Sequence, residues 1–152
     1  MADISVNSVF PNSKFLVTDS NGDVQEVSGQ NATYASADID GLTFTAKTAG
    51  ANGNNLSVQI IDNVGSGGVV YTNTGDAFLI SMELTADNYT LTAIKTHYGN
   101  HAPSEFTDVF DISYTSTGTS SNTFTSGGFS ATNLANGSDA VAPELTPNKS
   151  YL

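Results

Sequence analysis

The sequence predicts a mainly β domain: a β-rich α+β chain of antiparallel sheets or a β-sandwich, with one short helix near residues 87–98. Three observations predict it. Thr, Ser, Asn and Gly dominate the 152 residues, while Lys, Glu, Arg and Leu, the usual fillers of helix surfaces, are scarce. Threonine suits the exposed face of a strand, and Asn and Gly suit turns. Apolar residues alternate with polar ones in several short runs, as in half-buried strands. Clusters of Gly and Asn separate those runs.

Residues 1–35 read as an amino-terminal β segment. Phe15-Leu16-Val17-Thr18 and Val24-Gln25-Glu26-Val27 flank Asp19-Ser20-Asn21-Gly22-Asp23. Asn-Gly between two strand-like runs signals a hairpin, because both residues tolerate positive φ. A second hairpin is expected over residues 42–61. Leu42, Phe44 and Ala46 alternate in its first strand, and Leu56, Val58 and Ile60 in its second. Thr48-Ala49-Gly50-Ala51-Asn52-Gly53-Asn54-Asn55 joins them, with Gly50, Gly53 and Asn54 as the residues that set the turn.

Val64-Gly65-Ser66-Gly67-Gly68 reads as a loop. Val69-Val70-Tyr71 and Phe78 to Leu84 read as strands, the latter with Phe78, Ile80, Met82 and Leu84 on one side. In Asp87 to Tyr98, Leu91, Ile94 and Tyr98 fall at helical spacing. Asp87 or Asn88 is expected to cap this helix and Gly99-Asn100 to end it. The threonines at 90, 92 and 96 weigh against helix. After Pro103, Val109-Phe110-Asp111-Ile112-Ser113-Tyr114 alternates as a strand. Residues 115–128 read as an exposed loop or extended hairpin. From Val141, Pro143 and Pro147 disfavour helix and central strand, so an extended arm that packs only on a neighbour is expected. The chain thus divides into an amino-terminal β segment or arm (1–35), a β-rich domain (36–140) and a carboxy-terminal arm (141–152).

Composition narrows the function classes. Lys14, Lys47, Lys95 and Lys149 are the only cations, against fifteen carboxylates, for a formal net charge of -11. Such a surface repels phosphate, so neither a nucleic-acid backbone nor an acidic membrane is an expected partner. Only 12% of residues are charged, and the eight Phe and six Tyr lie in patterned stretches, which argues for a folded chain over a disordered one. With no cysteine there is no disulfide and no cysteine–zinc site. No apolar run approaches the roughly 20 residues of a membrane helix. Met1-Ala2-Asp3-Ile4 has no basic region or apolar core, so no secretory leader is expected. The N-x-S/T sequons at Asn31, Asn55, Asn88, Asn136 and Asn148 then read as by-products of composition.

Each candidate site has a plainer competitor. Asp19, Asn21, Asp23 and Glu26 offer oxygen ligands, but without the spacing or flanking helices of a calcium loop, so a hairpin turn is the reading. Asp38 and Asp40 form an acid-x-acid pair that alternation would put on one face; solvated edge charges that discourage wrong pairing are the reading. His97 and His101 are four apart, but Gly99-Asn100 is expected to break the helix between them, so a surface or interface role is preferred to a metal site. No G-x-S-x-G elbow or phosphate loop occurs. The tyrosines at 34, 71, 89, 98, 114 and 151 could stack on sugars, but more often pack at sheet rims or subunit interfaces. No catalytic residue, metal or cofactor is expected, and the chain reads as a non-enzyme.

Strand, T-A-G-x-x-G-N, strand, as in Thr48 to Asn54, resembles β-rich domains of tailed-phage virion proteins, both tail-sheath-like and head-decoration-like. Asn133-Leu134-Ala135-Asn136-Gly137-Ser138-Asp139 is similar to a closing N-L-A-G-G-x-D motif, with Asn136 in place of the first glycine. Asn is well suited to positive φ, so that turn is expected to survive. The resemblance spans about residues 38–140 and makes Gly50, Gly53, Asn54, Gly137 and Asp139 structural turn residues. It implies a virion subunit. At this length a head-decoration (cement) protein on the outer capsid surface is expected. Its partners would be the major capsid protein or other virion subunits, and it would be a homo-oligomer or lattice-bound. A tail-tube, neck or sheath-associated subunit is the alternative, and a carbohydrate-binding or adhesin-like module the alternative of another class. Ile4, Val6, Val9 and Phe10 at one end, and Leu145, Tyr151 and Leu152 at the other, are the candidate interface anchors.

Overall fold

The computed structural model describes residues 14–18, 24–63, 68–82, 90–115, 128–141 and 150–151. The fold is mainly β. In chain order the elements are β1 (Lys14–Thr18), β2 (Val24–Ser28), β3 (Ser36–Ile39), β4 (Leu42–Ala46), a 3₁₀ turn (Ala51–Asn55), β5 (Ser57–Asp62), β6 (Val70–Thr74), β7 (Ala77–Met82), α1 (Leu91–His101), α2 (Ser104–Thr107), β8 (Phe110–Tyr114), β9 (Thr132–Asn133) and β10 (Ser150–Tyr151). They fall into two compact units. One joins Met1–Thr33 to Asp139–Leu152; the other is Tyr34–Ser138.

The first unit holds a three-stranded antiparallel sheet of order β10-β1-β2. The expected first hairpin is there, with Lys14 opposite Ser28 and Thr18 opposite Val24. The expectation of a tail that packs only on a neighbour is corrected. Ser150 and Tyr151 pair with Thr18 and Val17 as an edge strand, and Gln30 and Val141 exchange backbone hydrogen bonds of 2.8 and 2.9 Å.

The second unit carries two sheets. One is antiparallel, of order β3-β4-β8; the other has order β6-β7-β5-β9. β3 and β4 form a two-residue hairpin at Asp40-Gly41, with Ile39 opposite Leu42. Both turn residues have positive φ, 42° and 101°, the requirement of the tightest hairpin loops. β6 and β7 form another antiparallel pair, closed by Gly75 (φ 64°) and Asp76. β5 and β7 run parallel, with Ser57 beside Ala77 and Asp62 beside Met82.

The expected hairpin over residues 42–61 does not form. β4 pairs with β3 and β8, while β5 pairs with β7 and β9, so the glycine-rich segment carries the chain from one sheet to the other. Alternation establishes that a strand has an apolar face, but not which strand lies beside it. Leu42, Phe44 and Ala46 do point into the core, as do Val58 and Ile60.

The helix also departs from expectation. Thr90 is its N-cap, its hydroxyl accepting from the Ala93 N–H at 3.1 Å. At the other end it runs through Gly99-Asn100 to His101. It stops at Ala102, extended at φ -66°, ψ 137°, the conformation that the ring of Pro103 favours in the residue before it. Leu91, Ile94 and Tyr98 are its buried face, as their spacing required.

One core joins the two sheets and the helix. Phe78 of β7 meets Phe110 of β8 edge-on, ring centroids 4.7 Å apart, and Phe106 at 5.0 Å; Phe110 meets Phe44 at 6.2 Å. Each such side chain contributes about 1.5–3 kcal/mol on burial, and edge-on ring pairs add to that. The buried Tyr98 hydroxyl donates to the Phe106 carbonyl at 2.8 Å, which offsets the cost of taking it out of water.

Candidate functional site

The two sequence motifs, 83 residues apart, meet in the second unit. Asn54 closes on Gly137 from both sides. Its Nδ2 donates to the Gly137 carbonyl at 2.8 Å, and its Oδ1 accepts from the Gly137 N–H at 2.9 Å. A side-chain amide carries one donor group and one acceptor, so it satisfies both peptide groups of one residue. A Cβ on Gly137 would lie 2.5 Å from the Gly50 carbonyl oxygen; one on Gly53 would lie 2.8 Å from the Ala35 Cβ. Gly50 itself sits at φ 130°, ψ 167°, a region essentially restricted to glycine. Asn136 adopts φ 68°, the conformation expected of it. Next to this joint, Leu134 is buried and its N–H donates to the Leu56 carbonyl at 2.9 Å. Ala135 and Ser36 exchange two backbone hydrogen bonds.

Of the expected turn residues, Gly50, Gly53, Asn54 and Gly137 are thus brought together, while Asp139 belongs to the other unit. Tyr151 lies in β10. Ile4, Val6, Val9, Phe10, Leu145 and Leu152 lie outside the described residues, as does the acidic loop at 19–23.

Asp38 and Asp40 are not a matched pair. The Asp38 carboxylate accepts from the Thr43 hydroxyl at 2.5 Å, whereas Asp40 occupies the left-handed first position of the β3–β4 turn. Asp-Gly was a turn signal here, and the strand alternation applied to it ended one residue earlier.

The histidine expectation is also corrected. Because α1 continues through Gly99-Asn100, His97 and His101 share a face, their ring centroids 4.7 Å apart at an interplanar angle of 42°. Tyr71 of β6 joins them. Its hydroxyl lies 2.9 Å from Nδ1 of His97, and the two rings stack at 5.9 Å and 23°. Burial, then the nearby His101, lowers the His97 pKa below the ordinary imidazole value. Burial pushes Tyr71 up to about 12. Tyr71 also meets Phe106 edge-on at 5.2 Å, beside a cavity of about 380 Å³ lined by Tyr71, Asn73, Pro103, Glu105 and Phe106. Nothing in the sequence linked Tyr71 to His97, because the contact depends on how the second sheet receives the helix.

Two of the four lysines face a cavity of about 290 Å³ beside Tyr98 and Gly99. Lys47 pairs with Asp111 at 3.4 Å and Lys95 lies over the Tyr114 ring at 4.8 Å; both carboxylate and ring face solvent in part, so these contacts are weak. Tyr34 is exposed, whereas Tyr71 and Tyr98 are packed as described.

Among the described residues, no group of three or more His, Cys, Asp or Glu gathers as metal ligands, and no helix is long and apolar enough to cross a membrane. No family model, curated protein or solved structure matches the chain.

Proposed function

We propose that the chain is a non-enzymatic structural subunit of a tailed-phage virion, a decoration (cement) protein of the outer capsid surface. The observation that carries this reading is the joint at Asn54 and Gly137. The two motifs on which the resemblance rests are far apart in sequence, yet they meet in one structural feature, held by two hydrogen bonds and the close approach of Gly137 to Gly50. The unit that contains all of them but Asp139, Tyr34–Ser138, has nearly the extent of the resemblance. The acidic, arginine-free composition supports a protein partner over nucleic acid.

The mechanism is adhesive. The β-rich unit sits on the capsid, and the segments at the chain ends bridge neighbouring capsid subunits through Ile4, Val6, Val9, Phe10, Leu145 and Leu152. Copies in a symmetric lattice gain avidity through effective concentration. Deleting residues 1–10 should abolish binding to assembled capsids; full occupancy by the shortened chain would refute the bridging role.

A tail-tube, neck or sheath-associated role is favoured by one observation. Among the described strands β6 is outermost in its sheet, with Val70 and residues 72–74 exposed, and an edge strand can receive a strand of the next copy. The purified chain should then form rings or filaments by head-to-tail contacts. A decoration protein should stay a monomer or small oligomer until capsids are added. Size-exclusion chromatography with electron microscopy distinguishes the two.

A further inference from the structure

We propose that His97 and His101 form a two-histidine site for a divalent transition-metal cation of the imidazole-preferring class, Zn²⁺, Ni²⁺ or Cu²⁺, with Tyr71 as its positioning residue. The proposal is independent of the virion reading.

Three observations carry it. The first is the unbroken helix, which puts positions four apart on one face; the same spacing serves helical zinc sites. The second is the ring separation. A metal bound at about 2.1 Å by one nitrogen of each ring would lie roughly 3.2 Å from each centroid, and at an angle of about 90–110° the centroids would be roughly 4.6–5.3 Å apart. The observed separation is 4.7 Å, inside that range.

The third is the Tyr71 hydroxyl at Nδ1 of His97. A metal-bound histidine characteristically donates its other ring N–H to an oxygen, which fixes both tautomer and ring orientation. With a metal on Nε2, Nδ1–H would donate to the Tyr71 hydroxyl, 2.9 Å away. Stacking of Tyr71 on His97 at 5.9 Å holds the ring plane as well. His101 is exposed, so water or a ligand from another molecule can reach an ion bound there.

The chain has two histidines and no cysteine, so imidazole coordination can be assigned without ambiguity. The test uses the untagged full chain. Titration with NiCl₂ or ZnCl₂, followed by calorimetry, should give saturable binding of one ion per chain that excess Mg²⁺ does not displace. His101→Ala should weaken it at least about tenfold, and Tyr71→Phe by about 10–100-fold, the range typical of lost outer-shell hydrogen bonds. In the wild-type chain, substoichiometric Cu²⁺ should broaden the imidazole proton resonances of both histidines together, a readout that needs no variant. Competition by Mg²⁺ would assign the binding to carboxylates and overturn the site. So would absence of saturable binding, or an affinity that His101→Ala leaves unchanged. Equal affinities for wild type and Tyr71→Phe would overturn the positioning role.

Discussion

At the scale of single residues, glycines of this chain do opposite things, and a Cβ distinguishes them. At Gly137 it would run into the Gly50 carbonyl at 2.5 Å, a backbone atom held by its own unusual torsions. Gly137→Ala should therefore cost about 1–3 kcal/mol, the usual range for forced overpacking, read as a lower urea midpoint at unchanged slope. At Gly99, inside α1, nothing lies within 4 Å of the added carbon. Gly99→Ala should raise stability by about 0.5–1 kcal/mol, since alanine is the better helix former. Asn54→Ala leaves both peptide groups of Gly137 without their partners and should cost about 1–3 kcal/mol. Much of this was legible: glycines and asparagines mark unusual torsions, and Asn136 at φ 68° is the clearest instance. That Gly137 is needed for close approach to Gly50 was not legible, because a distance between residues 87 positions apart depends on the sheets between them.

At the scale of elements, the sequence separates what is local from what is not. Alternation located β4, β5, β7 and β8, and 3.6-residue spacing found the buried face of α1. Pairing partners were misread where two strands with equivalent apolar faces were adjacent in sequence. The 42–61 hairpin became a passage between sheets, and a parallel β5–β7 pair took its place. Helix ends were displaced because Thr90 competes well as a cap, and because tertiary packing carries the helix over Gly99 to the stop before Pro103. Thr90→Ala should lower stability by about 1 kcal/mol. The contact between β6 and α1 has a pH signature. Tyr71 is raised from 10.0 to about 12 in the fold, so the folded state keeps its phenol proton after the unfolded chain has lost it. Its contribution is complete below pH 10 and is lost as pH rises from 10 to about 12. Denaturation midpoints across that window should fall, and should fall less in Tyr71→Phe; parallel curves for the two proteins would contradict the assignment. His97 has the opposite sense: its lowered pKa favours neutral imidazole in the fold, so its contribution is lost as pH drops below the ordinary histidine value near 6.5.

At the scale of the whole molecule, the decisive fact is that, among the residues whose burial is described, the hydrophobic core runs from Ala35 to Leu134, inside Tyr34–Ser138. So do both sheets of that unit, both helices and the Asn54–Gly137 joint. A unit that contains its own core and closes its own chain ends should fold alone. The fragment 34–138 should therefore unfold cooperatively, with dispersed NMR amide signals like those of the corresponding residues in the full chain. Under the virion reading the same fragment should not bind capsids, because the proposed bridging segments lie in the other unit. The two outcomes separate fold from function. A fragment that fails to fold would show that the second unit depends on the first. A folded fragment that still decorates capsids at full occupancy would move the adhesive surface onto the β-rich unit, where, among the described residues, Tyr34 and Val70 of β6 are exposed large hydrophobics. Composition alone indicated neither, because charge and residue frequency describe what a surface repels, whereas the division into units follows from which ends of the chain pair with each other.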